Sequence, residues 1–244
     1  MIYITGDTHA ALNNELGLYK KGHKLRKDFI KSLNPNDILI VLGDFGYTWT
    51  PDILKQYRCP AITLAVDGNH DNFTYLNLCP KIEMFGSEVG VIKDNVYRLL
   101  SGNIYNIEGI KTFIFGGALS IDKSMRIPYR SWWPEEIPSI DIYKNALSNL
   151  ESNNYDIDLF LAHTCSENIC NKFFNYSYKV QDPVEKMISE LEFNIKYNNP
   201  DSNYKFMFGH HHTFRTDGEY FCLYNQILKL YIENGELTAE FVLY

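Results

Sequence analysis

Short apolar runs recur along this chain, and polar residues follow almost every one of them. The runs are IYIT (2–5), ILIVL (38–42), ITLAV (62–66), TFIF (112–115), LFLA (159–162) and KFMF (205–208). Runs this short and rich in isoleucine, valine and phenylalanine are typical of strands that are buried on both faces. We therefore predict a core built on β-sheets from these segments.

Three other segments have the apolar spacing of helices. They cover residues 24–33, 139–151 and 182–193. The predicted buried positions are Leu25, Phe29, Ile30 and Leu33 in the first segment and Ile140, Tyr143, Leu147 and Leu150 in the second. Ser139 and Asp182 are predicted N-caps, and Pro183 follows at a first-turn position that suits proline.

The C-terminal segment changes character. YFCLYNQILKLYIENGELTAEFVLY reads as successive strands, with Asn234-Gly235 as a tight hairpin turn. The sequence has no low-complexity stretch, internal repeat or linker. We interpret residues 1–244 as one α/β domain with a mixed sheet system.

Composition narrows the classes of function. The net charge of −7 argues against broad, phosphate-driven binding to nucleic acid. Five scattered cysteines without a CxxC pair disfavour a zinc knuckle or a disulfide framework, and predict reduced, mostly buried thiols in a cytoplasmic protein. The start MIYITGDTHA has no signal-peptide features, and no apolar stretch approaches the ~20 residues that span a membrane.

Candidate chemistry collects directly after the predicted strands. Ligands in open α/β sheets bind outside the carboxyl ends of the strands, so polar residues at these positions are expected along one rim. They are Asp7, His9, Asp44, Asn69, His70, His163, His210 and His212. Five of the seven histidines belong to this set, and only His23 and His211 lie outside it. One such residue alone would suit an ordinary turn or a core histidine, but their joint occurrence predicts a functional site.

These residue types suit divalent metal ions. Imidazoles, carboxylates and one amide oxygen favour Mn²⁺, Fe or Zn²⁺ over Mg²⁺, which prefers oxygen ligands and retained water. Seven ligands fit two ions about 3.5–4 Å apart that share a carboxylate. If the strand ends are extended, Asp7 and His9 face one ion together, as do His210 and His212, while His211 points elsewhere. Such a site would attract phosphate oxygens despite the acidic exterior.

The order of the motifs carries a resemblance. The series Asp7-x-His9, Gly43-Asp44, Gly68-Asn69-His70-Asp71, His163 and Gly209-His210-x-His212 resembles the calcineurin-like metallophosphoesterase superfamily. The resemblance spans residues 6–212, with all five blocks in the family's order. It implies a four-layer αββα sandwich with two mixed β-sheets, a dimetal site at the strand ends, and a C-terminal hairpin region in the second sheet.

The resemblance also implies a role for each matching residue. The implied ligands are Asp7, His9 and His212 for the first metal, Asn69, His163 and His210 for the second, and Asp44 as the bridge between both. A metal-bridging hydroxide would attack the phosphorus in line with the departing oxygen. His70 would stabilise the transition state and protonate the leaving group, and Asp71 would orient the His70 imidazole.

Residues beside the motifs indicate the branch of the superfamily. Serine/threonine protein phosphatases carry an aspartate-arginine-glycine run after the second motif and glutamate after the histidine of the third. This chain has Gly46-Tyr47 after Asp44-Phe45, and Asp71 at the latter position, so it resembles the small prokaryotic or phage-type members. Tyr47 also occupies the position at which the family often has a second aspartate. That aspartate usually lies next to the metal ligands and does not bind the metal itself.

Residues 116–136, GGALSIDKSMRIPYRSWWPEE, form a candidate specificity segment. Guanidinium groups suit phosphate binding, and paired tryptophans suit stacking on a base or closing a pocket. The substrate-binding candidates are Lys123, Arg126 and Trp132, with Arg130 and Trp133 close by. In the alternative interpretation, the tryptophans pack this loop onto the core and its charges are solvated.

Three classes of function follow from these observations. The leading hypothesis is a dimetal phosphoesterase that uses Mn²⁺, with Fe or Zn²⁺ as alternatives, on a small phosphodiester or nucleotide-like substrate; phosphomonoesterase or protein phosphatase activity is the alternative. A catalytically silent binding module of the same fold would be expected to lack ligands or His70, yet all are present. A nuclease that acts with a partner would need a basic groove or further domains. The sequence leaves the oligomeric state open.

Overall fold

Two β-sheets organise the chain, as shown by a computed structural model that describes residues 1–9, 21–175 and 181–243. The described strands are β1 (Ile2–Thr5), β2 (Ile38–Val41), β3 (Ile62–Ala65), β4 (Lys81–Met84), β5 (Ser87–Lys93), β6 (Val96–Leu99), β7 (Ile104–Ile107), β8 (Ile110–Phe115), β9 (Leu159–Ala162), β10 (Lys205–Phe208), β11 (Arg215–Thr216), β12 (Tyr220–Cys222), β13 (Ile227–Glu233) and β14 (Glu236–Leu243). Every apolar run predicted to be a strand is one, and β1, β2, β9 and most of β3 and β10 are buried along their length.

Both sheets are mixed. The larger has eight strands in the order β14-β13-β1-β2-β3-β6-β5-β4, and its central strands β1, β2, β3 and β6 are parallel. The smaller has six strands in the order β11-β12-β10-β9-β8-β7, of which β8, β9, β10 and β12 are parallel. The carboxyl ends of neighbouring parallel strands therefore lie at the same edge of each sheet.

The helices occupy the connections between strands. The described helices are α1 (Lys21–Ser32), α2 (Pro51–Leu54), α3 (Phe73–Leu76), α4 (Ile140–Ser152), α5 (Glu167–Phe174) and α6 (Pro183–Asn198), with 3₁₀ turns at Lys123–Met125 and Pro134–Glu136. The predicted N-caps of α4 and α6 are confirmed, because Ser139 Oγ accepts a hydrogen bond from Ile142 N–H and the Asp182 carboxylate accepts one from Val184 N–H. Satisfying these first-turn donors explains where both helices begin.

The predicted helical faces need two corrections. Ile140 is 58% exposed, because the buried stripe of α4 passes through Ala146 and Leu150 and leaves the first residue in solvent. α6 continues to Asn198, beyond the predicted end at residue 193, because Ile195 extends the buried stripe of this helix by one further turn. The predicted buried position Leu25, together with His23, lies outside the side chains that the structure describes.

Side chains alternate between two packing layers along the central strands. Ile2, Ile4 and Ile40 face inward, into a core shared with Leu161 and Met207 of the smaller sheet. Neighbouring positions of the larger sheet face outward and pack with residues of α1, α2 and α3, while the outer face of the smaller sheet packs with α4, α5 and α6. The predicted four-layer αββα sandwich with two mixed sheets is confirmed.

The C-terminal segment, expected to fit the second sheet, is divided between the two sheets: β12 lies in the smaller sheet, and the β13–β14 hairpin lies in the larger one. β13 pairs antiparallel with β1, so that Ile2 lies opposite Leu230, and the β13–β14 hairpin extends the larger sheet. Leu230 then faces the core between the sheets. The turn itself is as expected, since Asn234 and Gly235 both have positive φ, as a two-residue hairpin turn requires. Among the described residues, no helix has the length and apolar character needed to cross a membrane.

Candidate metal centre

The predicted site residues meet where the two sheets present the carboxyl ends of their parallel strands. Asp7, Asp44 and Asn69 follow β1, β2 and β3 of the larger sheet. His9 also follows β1, and the other three predicted ligands, His163, His210 and His212, follow β9 and β10 of the smaller sheet. Because the sheets pack face to face, these two rims form one site in which most of the side chains are buried.

The first half of the site consists of Asp7, His9, Asp44 and His212. One ligand atom from each of the four lies within 4.8 Å of the others. The Nε2 atoms of His9 and His212 are 2.8 Å apart, and His212 Nε2 is 3.1 Å from Asp7 Oδ2. His9 Nε2 is 3.6 Å from Asp44 Oδ2. Four donors of the types that bind transition metals thus converge on a single point.

The second half is arranged around His163, which is fully buried. Its Nδ1–H donates to the Leu42 carbonyl at 2.8 Å, so Nε2 carries the lone pair. That nitrogen lies 2.9 Å from Asn69 Oδ1 and 3.6 Å from Asp44 Oδ1. The His210 ring packs edge-on against His163, with a centroid distance of 5.1 Å. His163, Asn69 and His210 therefore form a second group beside Asp44.

Asp44 lies between the two halves, and its two oxygens face different partners. Oδ2 is directed towards His9, while Oδ1 is directed towards His163 and accepts a hydrogen bond from His70 N–H at 2.8 Å. Burial and the Asp7 charge raise the pKa of Asp44 well above its usual value. A cation at this point would offset the repulsion between the two buried carboxylates.

The donor set fits divalent metal ions. Asp7 Oδ2 is buried, and two imidazole nitrogens lie close to it, His212 Nε2 at 3.1 Å and His9 Nε2 at 3.8 Å. His163 Nε2 lies 2.9 Å from Asn69 Oδ1, and in the tautomer that donates Nδ1–H to Leu42 both atoms are acceptors that can bind one cation together. Burial lowers the pKa of His9 to about 3 and that of His210 well below its usual value, so both rings are neutral as ligation requires.

The backbone at four of the predicted ligands is not extended, contrary to expectation. His9, Asp44, His210 and His212 all have φ between 41° and 64°, in the left-handed region. The proposed alternation of i and i+2 side chains is therefore wrong as an explanation, because these residues lie in tight turns. Non-glycine residues in this region are uncommon, and their concentration at one site is typical of functional centres.

Two glycines allow the close approach of the strand ends. A Cβ atom on Gly43 would lie 2.1 Å from His163 Nδ1, and one on Gly209 would lie 2.2 Å from Asp7 Oδ1. Real Cβ atoms do not come this close to other heavy atoms, so any larger residue would displace a predicted ligand. Gly43 also has φ of 83°, which disfavours every other residue type.

His70 lies next to the site, but Asp71 does not hold its ring. The Asp71 carboxylate accepts hydrogen bonds from Gly68 N–H at 2.8 Å and Gly46 N–H at 3.4 Å. His70 Nδ1 is buried and lacks a hydrogen-bond partner among the described residues. The predicted orientation of the imidazole by Asp71 is wrong, because this carboxylate braces the backbone of two turns.

The segment 116–136 divides into an accessible part and a buried part. Arg126 forms a bidentate ion pair with Asp122 at 2.7 Å, and its Nη2 lies 3.4 Å from His70 Nε2. Burial and this Arg126 charge lower the pKa of His70 to about 4. Lys123 is exposed and close to Arg126 in the chain. Arg126 is thus placed at the edge of the site.

Of the two tryptophans in this segment, only Trp133 packs into the core as the alternative interpretation expects. Trp133 is buried, donates its indole N–H to Thr74 Oγ1 at 2.8 Å and packs edge-on against Trp49, so its ring belongs to the core. Trp132 is only half-buried. Glu136 is fully buried and not solvated, contrary to that interpretation.

Sequence reasoning missed residues that hold the ligands. Glu136 accepts hydrogen bonds from Ser120 N–H at 3.0 Å and Ser120 O–H at 2.5 Å. Ser120 Oγ in turn accepts a hydrogen bond from Asn69 Nδ2 at 3.0 Å, which directs Asn69 Oδ1 towards His163. No sequence motif identifies Ser120 or Glu136. The only signal was a hydroxyl and a carboxylate within residues 116–136, and the sequence does not predict where this segment runs in the fold.

Two further supports come from aromatic and ionic contacts. The Tyr224 ring stacks on His212 at 4.7 Å, and the buried Arg26 donates to the Tyr224 carbonyl. Asp67 forms a bidentate ion pair with Arg98 at 2.7 and 2.9 Å, which anchors the turn that carries Asn69. Each pairing joins positions far apart in sequence, so local patterns contain no signal for it.

Tyr47 packs against two aromatic rings. Its ring lies 5.1 Å from that of Phe45 and 4.6 Å from that of Tyr57. The position at which the superfamily often has a second aspartate is therefore part of an aromatic cluster in this chain.

Comparison with known proteins agrees with this geometry. A family model described as calcineurin-like phosphoesterase matches residues 1–214, which include every predicted ligand. None of the curated proteins compared with the chain matches it. The match covers well over half of the 244 residues and includes both rims of the site. The chain therefore belongs to the calcineurin-like phosphoesterase family, a family of metal-dependent phosphoesterases.

Proposed function

We propose that this chain is a dimetal phosphoesterase. The proposed ligands are Asp7, His9 and His212 for one ion, Asn69, His163 and His210 for the other, and Asp44 for both. The observation that carries the proposal is the convergence of Asp7, His9, Asp44 and His212, because one ligand atom from each lies within 4.8 Å of the others. The placement of Asp44 between the two groups supports its role as the bridge.

The metal ions would supply an activated water nucleophile and stabilise the charge that develops on the phosphoryl oxygens. The chain's own residues would orient the substrate and handle the proton. His70 Nε2 lies beside Arg126 at the edge of the site, where a phosphate oxygen can contact both groups. In this proposal His70 stabilises the transition state and protonates the leaving group, for which the anionic substrate must offset the Arg126 charge and raise the pKa of His70 from about 4. Asp71 contributes indirectly by holding the turn that carries His70.

The substrate proposed is a small phosphodiester or a nucleotide-like ester. Arg126 is the main candidate for phosphate binding, because its guanidinium lies closest to His70, with Lys123 near it in the chain. Trp132 is the remaining tryptophan of the segment that can contact a base, since Trp133 is buried. A phosphomonoester or a phosphoprotein is the alternative substrate.

The proposed activity can be tested with generic esters. Protein stripped of metal should hydrolyse bis-p-nitrophenyl phosphate or p-nitrophenyl phosphate once Mn²⁺ is added, and Asp44→Asn should abolish this turnover because the bridging carboxylate is lost. Asp52→Asn, which changes an exposed carboxylate on α2, is the matched control and should retain full activity. Full activity in Asp44→Asn would contradict the bridging role. Metal binding without turnover on any ester would instead support a binding module.

The substrate class needs a separate measurement. We expect the Mn²⁺-loaded protein to prefer nucleotide or cyclic nucleotide esters in a screen that includes sugar phosphates and phosphopeptides. Arg126→Ala and Trp132→Ala should then reduce turnover of nucleotide esters more than turnover of p-nitrophenyl esters. An equal reduction on both would show that residues 116–136 do not select the base. The same screen with Fe²⁺ and Zn²⁺ tests the preference for Mn²⁺.

A further inference from the structure

A second cluster of metal-binding side chains lies beside the proposed dimetal site. Cys165 follows β9, Cys170 lies in α5, and His211 lies between His210 and His212 in the turn after β10. One ligand atom from each of Cys165, Cys170 and His211 lies within 4.8 Å of the other two. Both cysteines are buried and His211 is half-buried. The proposed dimetal chemistry uses none of these three side chains.

The His211 ring is held in a defined orientation. It stacks on Phe174 with a centroid distance of 4.0 Å and an interplanar angle of 29°, and Phe208 packs against it at 87°. This packing places His211 Nε2 3.9 Å from Cys165 Sγ. The middle histidine of the GHHH motif is thereby directed towards a thiol.

The two thiols of the cluster are held by hydrogen bonds. The Cys165 and Cys170 thiols hydrogen bond with each other, and the Glu185 carboxyl of α6 hydrogen bonds with Cys170. In a tetrahedral zinc site with Zn–S of about 2.3 Å and Zn–N of about 2.0–2.1 Å, ligand atoms lie about 3.5–3.8 Å apart. The observed 3.9 Å between Cys165 Sγ and His211 Nε2 is close to that separation.

We propose that Cys165, Cys170 and His211 bind a third metal ion, Zn²⁺, at a thiolate site distinct from the dimetal centre. Thiolate ligands select zinc over manganese, so the two sites would differ in metal preference. On binding, each thiol releases a proton to solvent as a Zn–S bond forms, and no oxidant or reductant is needed. The ion would join α5 and the turn after β9 to the turn that carries His210 and His212.

The test is a sulfur-specific measurement on the full-length wild-type protein. After incubation with Zn²⁺ and removal of excess metal, elemental analysis should find one more zinc per chain than the dimetal centre holds, and X-ray absorption should show sulfur at about 2.3 Å from zinc. Co²⁺ in place of Zn²⁺ should give a thiolate-to-cobalt charge-transfer band. A zinc shell of nitrogen and oxygen alone would overturn the proposal.

Variants locate the site and separate it from the dimetal centre. Cys170→Ser and His211→Asn should each lower the zinc content by one ion per chain, and Cys170→Ser should remove most of the charge-transfer band. Cys79→Ser is the matched control, because the Cys79 thiol lies outside the cluster and donates a hydrogen bond to the Tyr75 carbonyl. This variant should leave the zinc content and the charge-transfer band unchanged. Asp44→Asn should retain the band even if it loses phosphoesterase activity. A disulfide between Cys165 and Cys170 in the natively purified protein, found by mass spectrometry, would contradict the proposal.

Discussion

At the residue scale, hydrogen bonds in the site decide which lone pairs face its centre. The Leu42 carbonyl accepts from His163 Nδ1–H, so Nε2 is the nitrogen directed towards Asp44 and Asn69. The Tyr224 ring similarly fixes the plane of the His212 imidazole. Such outer contacts set the tautomer and orientation of a histidine before any ion arrives. The proposed ligands are thus pre-arranged by groups that do not contact the metal.

His70 offers a prediction at this scale, because its backbone and its ring act separately. The backbone N–H donates to Asp44 Oδ1, a bond that His70→Ala retains, while the ring lies beside Arg126. The variant should therefore bind metal with the wild-type stoichiometry and lose turnover by roughly 10²–10⁴-fold. Steady-state kinetics together with elemental analysis check this. Unchanged turnover would remove His70 from the proposed chemistry.

At the scale of elements, the segment 116–136 supports the site from outside the sheets. Its Ser120 and Glu136 connect the 3₁₀ turn at Pro134–Glu136 to the Asn69 amide. The same segment carries Arg126 towards His70. One connection between β8 and α4 therefore both orients a proposed ligand and borders the substrate position.

Ser120→Ala should weaken metal binding. Without the hydroxyl, Asn69 Nδ2 loses its acceptor and the Glu136 carboxylate loses a donor, so the amide oxygen is no longer directed towards His163. Loss of such an outer contact typically costs 10–100-fold in metal affinity. Titration of stripped protein with Mn²⁺ measures the effect. Ser124→Ala, an exposed position in the same segment, is the control, and equal affinities in both variants would show that Ser120 does not orient Asn69.

Arg98→Ala should destabilise the fold. The bidentate partner of Arg98, Asp67, is only 8% exposed and its backbone carbonyl accepts from Gly117 N–H at 2.7 Å. Removing one partner of a buried ion pair costs about 3–5 kcal/mol, because the other charge stays buried without compensation. Urea unfolding should show this loss in free energy of unfolding. Lys55→Ala breaks the exposed pair with Asp52 and should cost less than about 1 kcal/mol, so similar losses in both variants would contradict the argument.

At the scale of the whole molecule, the site joins the two sheets. Asp7 and Asp44 extend from the larger sheet, and His163, His210 and His212 extend from the smaller one. Metal bound to both rims would therefore link the two layers at the edge of their shared core. Without a cation, the buried carboxylates Asp7 and Asp44 repel each other.

Metal should consequently raise the stability of the whole fold. A ligand that binds only the native state adds about 4 kcal/mol to the free energy of unfolding when present at 1,000 times its Kd. We expect excess Mn²⁺ to raise the unfolding temperature of stripped protein, and a chelator to reverse the change. Asp44→Asn should respond much less. An unfolding temperature that is independent of metal in the wild-type chain would argue against native-state binding at this site.

Much of the fold was predictable from local pattern. The runs at β1, β2, β3, β8, β9 and β10 were identified because a strand buried on both faces must be continuously apolar. The N-caps of α4 and α6 were identified because capping is a short-range interaction. The C-terminal end of α6 and the partner of β13 were not, since they depend on what packs against each segment.

The sequence by itself determined which residues stand at the strand ends, because their identity and order are properties of the chain. It also determined that those ends are polar positions after buried strands. Only the tertiary structure decided that His9, Asp44, His210 and His212 adopt left-handed turns, that Asp71 braces backbone, and that Ser120 orients Asn69. These features arise from contacts between segments distant in sequence, and such contacts exist only once both sheets are packed.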